Sequence, residues 1–350
     1  MKLTTQQIDW LNIALMFIAA AAAYALPFEL FLFSYAVLGP LHYLTEISWL
    51  HERRYFTTGT RDALVLLLLG IVLFAVSFIV PVLSPLPERP SAQVIQQFKD
   101  QQAQTGATII YLAFMAALAM TAFRKLGNKV LFMLLSGVFL MALMKVQAWV
   151  LLFAVFLPTL IHVFVFTSAF MLLGALKSRS LPGLLAFTLL LVIGGFLLFY
   201  RPVETTIVSD QVRNHYQLFM ELNRFLARLF GQNWFEPDQV YYTSLGIALM
   251  RFIAFAYTYH YLNWFSKTSV IKWHQVNVTR LAVIFVLWLI AVALYWWNYR
   301  YGFVALYTLS FLHVFLEFPL NWRSFVELGR EASSISRHGW VKAQVASSIA

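Results

Sequence analysis

The chain has 350 residues, 61% hydrophobic and 11% charged, which leaves too little polar surface for a dispersed globular domain. Its formal charge of +10 comes from basic residues scattered among short loops, a pattern that excludes nucleic acid as the partner and makes the lipid bilayer the expected solvent. With no cysteine, disulfides, thiolate nucleophiles and cysteine zinc sites are excluded, so a metal site would have to use histidine and carboxylate.

Several apolar runs reach the roughly 20 residues that a helix rising about 1.5 Å per residue needs to cross a hydrocarbon core. Leu11 to Ala25 resembles a secretory leader, but Lys2 is offset by Asp9 and the apolar sequence resumes at Phe28, so this stretch reads as a first span. Breaks at Pro27, at the charged run His51 to Asp62 and at Pro81 to Pro90 delimit spans near 10–26, 27–50 and 62–83. Two more follow near 106–123 and 128–145, split by Arg124, Lys125, Gly127 and Lys129. A sixth, about 148–176, contains Pro158 and is expected to bend there, and a seventh covers 181–200.

The polar loop that follows carries Leu218, Leu222, Phe225 and Leu229 at helical spacing. This amphipathic segment, about 211–231, is expected either to lie flat on the outer membrane surface or to pack over the mouth of the bundle. Spans eight to ten fall near 241–266, 279–297 and 302–322, followed by a polar tail over 323–350. The chain reads as one domain, residues 1–350, an all-α transmembrane bundle of about ten spans.

Charge sets the expected orientation. With the N-terminus inside, inner segments hold sixteen Lys and Arg residues, among them Arg53, Arg124, Lys177, Lys272 and Lys342, against eight in outer segments such as Arg89 and Lys145. Both termini are therefore expected inside, and Arg251 falls within span eight.

An ionisable residue within a span is costly enough to be a functional candidate, and these are His42, Glu46, His162, Arg251, His260, His313 and Glu317. Spans two and ten read His42-Tyr-Leu-Thr-Glu46 and His313-Val-Phe-Leu-Glu317, and a four-residue step places both members of each pair on one helix face. Asn321 extends the second face by a turn. Spans two, six, eight and ten run in the same direction, so their four histidines could converge in the inner half of the bilayer. Two buried carboxylates must be protonated or matched by positive charge, and a divalent transition metal would supply it.

The expected metal set is therefore His42, Glu46, His162, His260, His313 and Glu317, holding iron, copper, manganese or zinc. It could be a single four-histidine ion with the glutamates behind the ligands, or a two-metal centre with bridging carboxylates. Haem on two axial histidines is a third option, although it leaves the repeated glutamate unused. His51 and His274, at the inner mouth, read as solvated, and Trp49, Trp264, Trp273 and Trp322 as an interfacial belt.

Two stretches, GPLHYLTEISWLHERRYF from Gly39 to Phe56 and YTYHYLNWFSKTSVIKWH from Tyr257 to His274, cover about a tenth of the chain. They resemble segments of a bacterial multi-pass membrane family labelled as similar to β-carotene cleavage oxygenases of the Brp/Blh type. The resemblance implies a bacterial inner-membrane, iron-dependent oxygenase that cleaves a lipid-dissolved polyene, with His42, His162, His260 and His313 as candidate ligands. The His-x-x-x-Glu spacing is not a property it supplies, and the closely paired histidines of membrane desaturases are absent.

Three functions follow. The first is a membrane oxidoreductase with a non-haem metal, expected to be iron, acting on a lipophilic small molecule such as a carotenoid or acyl chain. The second is a proton-coupled transporter or channel using the same residues. Span seven and span five lack the histidine and glutamate that an inverted repeat of spans two and ten would require. The third is electron transfer through a haem held by two histidines. Nothing in the sequence names a protein partner.

Overall fold

A computed structural model describes residues 4–83, 91–146, 148–201, 207–232, 236, 238–267 and 276–340. Lys2, Arg89, Lys272, Trp273, His274 and Lys342 lie outside the described residues. Helices account for the ordered structure, and no strand occurs among the described residues.

In chain order the helices are α1 (Thr5–Ala25), α2 (Pro27–Glu52), α3 (Asp62–Ile79), α4 (Ala92–Ala122), α5 (Leu126–Leu143), α6 (Leu151–Ser178) and α7 (Leu181–Phe199). Two short outer helices follow, α8 (Asp210–Tyr216) and α9 (Met220–Leu229), then α10 (Ser244–Ser266), α11 (Val278–Trp297) and α12 (Tyr299–His338). Nine of these are long and apolar enough to cross a membrane among the described residues, which makes the chain a multi-pass membrane protein.

The expected eighth span, α10, falls short of the apolar standard because it carries Arg251, His260 and three tyrosines. It needs no lipid-compatible face. Nineteen of its 23 residues are buried, and it packs against α1, α2, α6 and α7 as the central post of the bundle. Arg251 there donates from Nε to the Tyr24 carbonyl at 3.0 Å and lies 3.6 Å from the centre of the Tyr24 ring. The cation thus meets the C-terminal carbonyls of α1, where a helix dipole favours it. It points away from His260, as nine residues of helix require.

Small residues let neighbouring helices approach closely, as with Ala19 and Ala23 of α1 and Ala107, Ala113, Ala116 and Ala117 of α4, all buried. One apolar core surrounds α10, with contributions from α1, α2, α7 and the outer helices, and a second lies between α4, α6 and α12.

Two boundaries differ from the sequence expectations, and two placements are now defined. α4 starts at Ala92, fourteen residues before the expected span, because a Ser91 cap and a polar run of good helix formers extend it beyond the apolar stretch. α12 continues to His338, so the first half of the expected tail is helix, tied to the end of α6 by Lys177–Glu327 and Arg179–Glu331 ion pairs. The amphipathic outer segment packs over the mouth of the bundle, with Tyr216, Met220, Leu222, Phe225 and Leu226 buried. Trp49 and Trp264 face each other inside the bundle with centroids 5.6 Å apart, whereas Trp322 is exposed, so an interfacial belt does not describe the first two.

Three stretches wind as π-helix: Ser34–Leu38, Ala75–Ile79 and Leu151–Phe166. Each contains or closely precedes a proline, Pro40, Pro81 or Pro158, whose missing N–H removes an α-helical hydrogen bond. At Pro158, where a bend was expected, the backbone responds with sixteen residues of π-winding. That winding also sets the angle at which His162 leaves α6.

Candidate metal centre

α2, α10, α6 and α12 form a closed ring, each packing against the next and α12 returning to α2. Their histidines follow the same order. Ring centroids are 4.6 Å apart for His42 and His260, 4.9 Å for His260 and His162, 5.0 Å for His162 and His313, and 5.4 Å for His313 and His42. All four side chains are buried, as are Glu46 and Glu317. The six residues singled out as a metal set therefore occupy one place.

Their ligand atoms are closer than the rings. His42 Nε2 lies 3.1 Å from His260 Nε2 and 3.1 Å from Glu46 Oε2. His313 Nε2 lies 3.1 Å from His162 Nε2, and His162 Nδ1 is 3.0 Å from Glu317 Oε2. The first glutamate thus meets the histidine of its own helix. The second reaches across from α12 to α6, because the four-residue step aligns His313 and Glu317 along a face but does not oblige them to touch.

Three features bear on whether a cation fits. Two nitrogens bound to one ion at about 2.0–2.2 Å, at angles of about 90–110°, stand roughly 2.8–3.6 Å apart, and the observed separations fall in that range. Glu46 Oε2 and Glu317 Oε2 are buried, each with an imidazole nitrogen at 3.1 or 3.0 Å but with no aligned hydrogen bond among the described residues, and the two carboxyl groups are neighbours. Such oxygens are expensive to leave unmatched in a low-dielectric interior. One ligand atom from each of His42, His162 and His313 lies within 4.8 Å of the others, a buried group able to hold a metal ion. Nitrogens 3.1 Å apart leave no slot for a macrocycle, so the arrangement does not suit a haem between paired imidazoles.

Two residues join the cluster that the sequence did not mark. Thr167 Oγ1 is 2.7 Å from His260 Nδ1, which directs Nε2 of that ring at the cluster. Tyr43 stacks on His313 with centroids 4.2 Å apart, and its hydroxyl is 3.0 Å from that of Tyr261. Their only sequence signal was position, since Tyr43 follows His42 and Thr167 lies five residues past His162. Asn321, one turn beyond Glu317, is buried with neither amide atom hydrogen-bonded among the described residues. Asn263 serves the scaffold instead, donating to Asn12 Oδ1 at 2.8 Å. His51 is exposed, as expected.

Cavities reach the cluster from two directions. One of about 240 Å³ is walled by aromatic residues including Tyr35, Tyr43, Tyr257 and Tyr261, roofed by Tyr216 and Phe219, and floored by His162 and His313. The other, about 450 Å³, opens toward the opposite end and exposes His42, His260, Glu46 and Glu317.

Fold and site together define a polytopic helical membrane protein with a buried histidine cluster able to hold a metal ion. Comparison with protein-family models, curated proteins and solved structures finds no match for the chain.

Proposed function

We propose that the chain is a membrane metalloenzyme, a non-haem oxidoreductase of the bacterial inner membrane, acting on a lipophilic substrate such as a carotenoid or acyl chain. Iron is the metal proposed. The observation that carries this reading is the closed ring of four imidazoles with two buried carboxylates in contact with it. His42, His162 and His313 would be the core ligands, with His260 and Glu46 close enough to join them. A redox-active metal held there would supply the one-electron and oxygen chemistry that side chains lack.

The chain's own residues do the rest. Thr167 fixes the orientation of the His260 ring, Tyr43 packs the ring of His313, and Glu317 abuts the His162 nitrogen that faces away from His313. Burial keeps bulk water from the cluster, and the two cavities admit a ligand to it.

The test is elemental analysis of the purified protein. One or two atoms of iron per chain are expected, and His313→Ala should lower that content far more than His215→Ala or His338→Ala, which lie outside the membrane spans. A proton relay is the competing reading, and the cavities meeting the cluster from both sides favour it. Protein that binds no stoichiometric metal, and whose histidine variants alter only pH-dependent flux, would establish the relay instead.

A further inference from the structure

The cavity that exposes His42 and His260 is lined at its far end by Lys177, Lys267 and Arg323. Lys177 is paired with Glu327. Lys267 and Arg323 have no carboxylate within ion-pair distance among the described residues. Both are half-buried. Burial pushes the Lys267 ammonium down to about 8, against the opposing pull of Asp9, and an anion beside it would reverse that shift. The remaining walls are mainly apolar and aromatic, with Trp49, Trp264 and Phe56 among them, interrupted by Thr167, Asn263 and Ser324.

The wall at Phe56 is built at a cost. Arg54, Tyr55 and Phe56 have φ of 50°, 54° and 55°, three consecutive left-handed residues without a glycine. Each such residue costs about 1–2 kcal/mol, so the turn persists only because its surroundings impose it. It sets Phe56 5.7 Å from Trp49, centroid to centroid, and 5.8 Å beneath the Arg323 guanidinium.

We propose that this cavity binds an amphiphile with an oxyanion head, a carboxylate or phosphate, between Lys267 and Arg323, and an apolar body extending along the tryptophan wall to the histidine cluster. The inference rests on the metal-centre reading only for what the cluster does to that body. Lys267 lies seven residues beyond His260, and Arg323 ten beyond His313, so at about 1.5 Å per residue the head sits about 10–15 Å from the cluster. Carbons within the chain, not those next to the head, would therefore face His42 and His260. A volume of about 450 Å³ is within the range that small organic ligands occupy. A pure hydrocarbon would leave both cations unmatched.

Binding is measured on metal-depleted full-length protein in uncharged detergent, so that it does not depend on whether metal binds. The probes are radiolabelled palmitate and methyl palmitate. Palmitate should bind saturably and at least 10-fold more tightly than its ester, and Lys267→Gln with Arg323→Gln should abolish that preference. Lys267→Arg with Arg323→Lys should retain it, which separates loss of charge from misfolding. Dodecyl phosphate should displace palmitate, whereas inorganic phosphate at the same concentration should not. Equal binding of acid and ester, indifference to the charge-removing pair, or displacement by inorganic phosphate would each overturn the proposal. Metal content of the same preparations before depletion reports on the metal reading separately.

Discussion

At the scale of single residues, the cluster depends on groups that give each imidazole a defined role. Thr167 is the clearest, because its hydroxyl meets the nitrogen of His260 that points away from the other rings. Thr167→Val keeps the shape of the side chain and removes the hydrogen bond. On the metal-centre reading it should weaken metal affinity about 10- to 100-fold while the protein still folds, as titration with a competing chelator would show. Unchanged affinity would mean that His260 is held by packing alone. Glu317→Gln should act similarly through His162 Nδ1, whereas Arg251 bears on stability because its partner is the carbonyl of Tyr24.

At the scale of helices, the π-winding of α6 is the element most specific to the site. Each α-helical residue turns the chain by about 100°, so gaining or losing one residue of register would swing His162 far from His313 and Glu317. Pro158→Ala restores the missing N–H and lets the segment close toward α-geometry. It should lower metal content nearly as much as His313→Ala, with helicity by circular dichroism unchanged. The π-winding was not legible in the sequence, which offered Pro158 and the prospect of a bend. The two His-x-x-x-Glu pairs were legible because helical period alone places their members together. Which carboxylate meets which imidazole was not, since Glu317 finds His162 through the rotation of α12 against α6. The facing tryptophans were misread for the same reason: sequence position shows that Trp49 and Trp264 lie near a boundary but not which way they face.

At the scale of the whole molecule, the expected orientation rests on charge alone, and the ion pairs show that the segments concerned share one side of the bundle. Asp62–Lys129, Lys177–Glu327, Arg179–Glu331 and Arg280–Glu52 all tie segments assigned to the inner side. Tags in the 51–62 loop and after residue 350 should be protected in intact cells, and a tag in the 201–240 loop should be accessible. An accessible C-terminal tag would reverse the placement of the cation-lined cavity as well. The central position of α10 explains why its polar composition is tolerated: its neighbours, not lipid, surround it.

The closed ring of four helices also constrains how the protein is made. The contact between His42 and His260 spans 218 residues of sequence, and that between His162 and His313 spans 151, with the two intervals overlapping. Neither contact can form until late helices have left the ribosome. At about 5–20 residues per second, synthesis of His313 trails that of His42 by roughly 14–54 s. Throughout that interval the early histidines and Glu46 sit in an unfinished bundle, so the cluster is the last part of the molecule to be assembled. A chain truncated before α12 would insert most of its spans and still lack the cluster. Biogenesis therefore orders the two events, insertion first and closure of the histidine cluster afterward.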